Sequence, residues 1–137
     1  MGVILDSSVL IGTERGAFPL LALLEALGEQ PVGMAAITAS DLLHGCHRAP
    51  DAARRARRSA LVERFLRDLP VHPFDLLAAR RHAELWAVLA RKGRLIGAHD
   101  LLIAATALAR GDALATLNER EFARVPGLEL VDLRAFS

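Results

Sequence analysis

The sequence predicts an α/β fold built on a parallel sheet. Short apolar runs of β type recur along the chain, helical stretches separate most of them, and glycines stand at or just past several helix ends. At 137 residues, 53% of them hydrophobic, the chain can bury a core without disulfides or a structural metal.

In chain order the apolar runs fall at 3–5, 32–37, 71–74, 113–116 and 128–131. Helical spacing fits 8–13, 17–27, 39–47, 52–68, 76–91 and 101–110, with Gly28, Gly93 and Gly111 placed to stop three of these. Ala49, Pro50 and Asp51 read as a short turn between two helices, not a linker, so 1–137 is expected to be one domain. On the second helix Phe18, Leu20, Leu21, Leu23, Leu24 and Leu27 spread over about 220° of the circumference. That is wider than one core stripe and predicts a partner surface.

Seventeen basic and sixteen acidic residues leave a net charge of +1. This argues against a blanket electrostatic binder of nucleic acid and permits a local basic surface around an acidic centre. Lys92 is the only lysine, so the cationic side chains are almost all arginine, the type suited to bidentate phosphate contacts. Arg54, Arg55, Arg57 and Arg58 cluster on one helix with Arg64 and Arg67 beyond them; the run reads either as a phosphate-touching face or as a solvated one. The single Cys46, the absence of a secretory pattern and the lack of a spanning apolar run predict a cytoplasmic protein with no membrane association.

The acidic residues fall in a pattern. Asp6 ends the first apolar run, Asp41 follows the second, Asp100 precedes the helix at 101–110, and Glu119 and Glu121 follow the run at 113–116. In an open α/β sheet the carboxyl ends of the strands collect along one edge, where ligands bind. Carboxylates gathered there repel one another, and a hard divalent ion such as Mg(II) or Mn(II) compensates them. The same positions also suit helix capping: Asp6 and Asp100 at helix starts, Thr38 with Asp41 and Asn118 with Glu121 at the capping-box offset. Position alone leaves both readings open.

Several other chemistries are disfavoured. A phosphoacceptor receiver domain needs paired acids after its first strand and a late lysine, whereas Lys92 sits mid-chain; a haloacid-type phosphatase needs a second Asp where Ser8 stands. Glycine fingerprints for nucleotides are missing. His44 and His47 are three apart but have no third nitrogen or sulfur ligand at a recognised spacing. His99, beside Asp100, and Cys46 have no identifiable base and orienter and receive no catalytic part.

The wording around the acids adds more. The stretches VILDSSVLI (3–11), ITASDLLHG (37–45), LPVHPFD (69–75), IGAHDLLIAATA (96–107) and TLNEREFARVPGL (116–128) resemble the PIN-domain ribonuclease toxins of the VapC family. The resemblance spans nearly the whole chain. It implies a three-layer α/β/α sandwich with a central parallel sheet and an endoribonuclease that hydrolyses RNA phosphodiester bonds with water activated by Mg(II) or Mn(II). It also implies the toxin role in a type II toxin-antitoxin pair, with a VapB-like antitoxin, an RNA substrate and a second copy of the chain as partners.

Carried over residue by residue, the resemblance makes Asp6, Asp41, Asp100 and Glu121 the catalytic set. Asp6, Asp100, Glu121 and Asn118 become the metal-holding group, and Ser7, Ser8 and Thr116 orient water or substrate. Asp41 departs from the family pattern, which has Glu there; the side chain is shorter by roughly 1.5 Å, so it is expected to act as an outer ligand through water or as a base. The alternative reading is a PIN-like RNA- or protein-binding module that is catalytically weak or inactive because of that change. Five Phe, Trp86 and no Tyr leave few stacking surfaces, so any RNA recognition leans on charge, metal and shape.

Overall fold

The computed structural model describes residues 1–136. Four parallel strands, β1 (Val3–Leu5), β2 (Val32–Ala35), β3 (Val71–His72) and β4 (Ala113–Ala115), form one sheet in the order β3, β2, β1, β4. Val3 pairs with Val32 on one side and Ala113 on the other, and Leu5 pairs with Ala115.

Alternation along the strands divides the core into two layers. Val3, Leu5 and Met34 pack with Val9, Leu10, Leu42 and Val62 from α1 (Ser7–Glu14), α3 (Ala36–His47) and α4 (Ala52–Asp68); α2 (Leu20–Leu27) joins this side. Ile4, Ala35 and Leu114 point the other way, toward Leu89, Ile103 and Phe122 from α5 (Leu76–Arg91), α6 (Ala98–Arg110) and α7 (Glu119–Phe122). The result is the expected three-layer α/β/α sandwich.

Local chemistry explains the element boundaries. The Asp51 carboxylate accepts the Arg54 backbone N–H at 2.7 Å and Asp75 accepts that of Ala78 at 2.9 Å, so α4 and α5 start at capped residues. Gly111, at φ 69°, ends α6 in a left-handed turn that leads into β4 two residues later.

Several elements differ from the sequence expectation. The second helix starts at Leu20, not 17, because Pro19 stands at its N-cap and restricts the residue before it. Its apolar face is mostly used internally: Phe18, Leu20 and Leu23 are buried, Leu24 and Leu27 pack against the core, and Leu21 is left 76% exposed. The run at 128–131 is not a fifth strand. It makes one parallel rung, in which Glu129 O and Val131 N bracket Leu114, each at 2.9 Å.

Among the described residues no helix is long and apolar enough to cross a membrane, and Thr38 carries the only buried side-chain polar atom without a hydrogen-bond partner. The strand order also fixes where a ligand can enter. From β1 the chain steps to β2 and β3, then crosses by α5 and α6 to the far side of β1, so the crevice past the carboxyl ends of β1 and β4 is the switch point.

Candidate active site

Asp6 follows β1 directly and Thr116 follows β4 directly, so the two flank the switch point. Asp6 is 2% exposed. Its Oδ2 accepts hydroxyl hydrogen bonds from Thr116 and from Ser8, both at 2.7 Å, while Oδ1 has only a long 3.5 Å contact from Ser7. Ser8 Oγ in turn accepts the Leu117 N–H at 3.0 Å, and Thr116 Oγ1 accepts the Asn118 N–H at 2.9 Å. Two hydroxyls therefore fix one carboxylate oxygen of Asp6 and leave the other with lone pairs to spare.

Asp100 and Glu121 meet at the start of α6. Burial first, then a hydrogen bond with Glu121, then the charges of Asp6, Glu121 and Asp41 push the Asp100 carboxyl up to about 7. Glu121 is held below its usual value, mainly by the Gly97 N–H, which donates to Oε1 at 2.6 Å, with help from Asn118 Nδ2 on Oε2 at 2.7 Å and from Asp100. Of this pair, Asp100 is the carboxyl that takes up a proton more readily.

Gly97 has a spatial role here. A Cβ at this position would stand 3.6 Å from Glu121 Oε1 and 3.7 Å from Asp100 Oδ2, in contact with both carboxylates. Its φ of −56° is open to any residue, so what the glycine supplies is room.

Asp41 lies in the second turn of α3 and pairs with His99 Nδ1 at 2.8 Å. Sequence reasoning gave His99 no role; its place next to Asp100 was the one signal available. Arg124 donates to Leu95 O at 3.1 Å and adds positive charge near Glu121.

The capping reading of these acids does not survive. Asp6 and Asn118 occupy N-cap positions but make no capping hydrogen bond, and the N-caps of α3 and α6 are Ala35 and Gly97, with Asp41 and Asp100 inside the helices. Each acid is instead tied to another site residue.

The donor set consists of hard oxygens, and a divalent cation would favour the ionised form that burial, the hydrogen bond with Glu121 and the neighbouring carboxylates disfavour at Asp100. Asp6 Oδ1 carries only the long Ser7 contact, Gly97 leaves room beside the Asp100 and Glu121 carboxylates, and the Asn118 amide adjoins Glu121. As the side chains stand, no group of three or more His, Cys, Asp or Glu among the described residues is arranged to hold a metal. The acids are engaged with hydroxyls, amides and one another.

Comparison with known proteins gives consistent results. The profile of the PIN domain family matches residues 3–128. A protein named ribonuclease VapC1, from Rickettsia felis, is 32% identical over 131 residues, covering 96% of each chain. A Salmonella typhimurium protein named tRNA(fMet)-specific endonuclease VapC is 38% identical over 101 residues, 72% of this chain and 73% of that one. Among solved structures, a chain of DNA-bound VapBC from Salmonella typhimurium superposes with a TM-score of 0.87 at 30% identity, covering 96% of this chain and 98% of the other.

Proposed function

This chain belongs to the PIN domain family, and on that premise we propose that it is a VapC-type endoribonuclease toxin whose active site is the acidic crevice between β1 and β4. One observation carries the reading: Asp100 lies within the electrostatic reach of Asp6, Asp41 and Glu121, contributed by four separate segments, at the sheet edge where the topology admits a ligand.

Asp6, Asp100 and Glu121, with Asn118, would hold Mg(II) or Mn(II). Such an ion supplies the positive charge and Lewis acidity that phosphodiester hydrolysis by water requires. The protein's own part is placement. Ser8 and Thr116 hold Asp6 by Oδ2 and leave Oδ1 with lone pairs to spare, Gly97 and Asn118 hold Glu121 from both of its oxygens, and Asp41, steadied by His99, would act as a base or outer contact. Ser8 and Thr116 are thus positioning residues for Asp6, with Ser7 a weaker third.

Residues 1–137 act as a single nuclease domain. A VapB-like antitoxin and a second copy of the chain are its protein partners; the first is supported by the VapBC assembly in which the Salmonella typhimurium relative was solved. A second reading, a weak or inactive RNA-binding module, is favoured only by the shortened Asp41 and its attachment to His99.

A labelled single-stranded RNA incubated with Mg(II) or Mn(II) tests both. The ribonuclease reading requires cleavage that chelator stops and that Asp6→Asn and Asp100→Asn abolish while circular dichroism remains native. Binding without cleavage selects the second reading, and equal cleavage by the variants overturns the site.

A further inference from the structure

The acidic crevice repels a polyanion, so a strand that reaches it must be gripped elsewhere, and on the first helical layer two hollows adjoin. One, of about 350 Å³, starts at Asp41 and is lined by Arg15, Arg48, Arg58 and His44. The other, of about 400 Å³, continues past Arg54 and Arg57. They share Glu14 and Arg58, whose ion pair at 2.6 Å forms the floor between them. Arg58 also donates to Gly45 O at 2.9 Å, so it ties α1, α3 and α4 together and its charge is already matched.

Arg15 and Arg48 are different. Both are exposed C-cap residues, of α1 and α3, and among the described residues neither side chain makes a hydrogen bond or ion pair; only the backbone N–H groups are engaged, with Ile11 O and His44 O. A cation at a helix C-terminus is favourable in itself, which explains the residue type at each place. It does not explain why two different helices deliver theirs into one hollow that opens on Asp41.

We propose that this trough carries the phosphate backbone of the RNA strand leading to the scissile bond, with Arg15 and Arg48 as its phosphate contacts and the Glu14–Arg58 pair as the strut beneath. The inference rests on the ribonuclease reading and assigns residues to substrate binding that the acidic site does not contain. Among the described residues no Phe or Trp lines either hollow, and His44 is the one ring there. The grip is therefore on charge and backbone shape and is indifferent to base identity. An acidic protein segment has similar charge, but the strand being cut must pass Asp41, and the trough begins there.

Fluorescence anisotropy of a labelled single-stranded RNA of about twelve nucleotides, in chelator to prevent cleavage and across roughly 50 to 300 mM salt, tests the assignment. Arg15→Ala with Arg48→Ala should weaken binding about tenfold at low salt and reduce the slope of log affinity against log salt by about 1.4, two contacts at ~0.7 each. Arg15→Lys with Arg48→Lys should restore the slope. Arg80→Ala with Arg91→Ala, on α5 in the opposite layer, should leave both quantities unchanged. An unchanged slope in the Arg15/Arg48 alanine variant overturns the proposal, and if that variant instead loses binding of a polyglutamate peptide, the trough is a protein-docking face. Cleavage by the wild type with Mn(II), measured alongside, separates the two levels: cleavage with an unchanged slope removes only the trough, whereas neither binding nor cleavage removes the ribonuclease reading and the trough with it.

Discussion

His99 Nδ1 stands 2.8 Å from Asp41 Oδ1, so the one acid that departs from the family pattern is held by the residue next to Asp100. An exposed pair of this kind contributes little to stability, and its effect is on direction. Asp41→Glu should retain or raise RNA cleavage, because the longer side chain reaches further into the crevice. Asp41→Ala should lower it about tenfold or more, by analogy with the loss of other supporting groups at metal sites. Unchanged cleavage in the folded alanine variant would remove Asp41 from the site.

Thr116→Val and Ser8→Ala each delete one of the two hydroxyls on Asp6 Oδ2. Each should reduce cleavage or apparent Mn(II) affinity by about 10–100-fold, with a larger loss in the double variant. A Mn(II) titration of activity reads both quantities. No effect from either change would mean that Asp6 is oriented by its backbone alone.

Gly97→Ala is compatible with the local backbone, so the melting temperature should remain close to wild type. The added methyl would touch both the Glu121 and the Asp100 carboxylates, and the Mn(II) requirement should rise about tenfold. Normal activity in this variant would show that the cradle is wider than the structure indicates.

Stability of the metal-free protein should depend on pH through Asp100. Its folded value is raised from 3.8 to about 7, so the neutral form is favoured in the folded state. That contribution is fully present below 3.8 and is lost as pH rises through about 7. Glu121 shifts the other way, and its contribution is lost only as pH falls through its depressed value, outside the window from pH 5 to 8. Urea midpoints in chelator should therefore decline across this window, and Asp100→Asn should flatten the decline. A profile identical to wild type in that variant would contradict the assignment.

Thr38→Val exchanges a buried, unpartnered hydroxyl for a methyl of the same shape. Leaving such a group unsatisfied costs about 1–3 kcal/mol, so the variant should be as stable as wild type or more so by about 1 kcal/mol in urea unfolding. A marked loss of stability would reveal a hydrogen bond that Thr38 makes in solution.

The sequence displayed what depends on local chemistry and hid what depends on long-range approach. The bounds of α4 and α5 agree with the expected 52–68 and 76–91, since apolar periodicity and an Asp cap coincide at each start. Starts without a capping side chain, as in α3 and α6, lay three residues further upstream than periodicity indicated. The acids were legible because strand ends must converge in a parallel sheet. The supporting contacts were not: Thr116 reaches Asp6 across 110 positions, and His99 reaches Asp41 across 58, with no periodic signal to announce either. The apolar overhang on α2 was overestimated because the segment after Val131, with Leu133 and Phe136, covers part of that layer.

The placement of β4 beside β1 has a consequence for synthesis. The first carboxylate of the crevice is made within the opening six residues, yet its hydroxyl partner Thr116 and the glutamate at 121 come from the last part of the chain. With the proposed site, a growing polypeptide on the ribosome cannot assemble a cutting centre until β4 has emerged and docked, so no RNA around it is exposed to hydrolysis before the segment carrying Thr116 and Glu121 has been made.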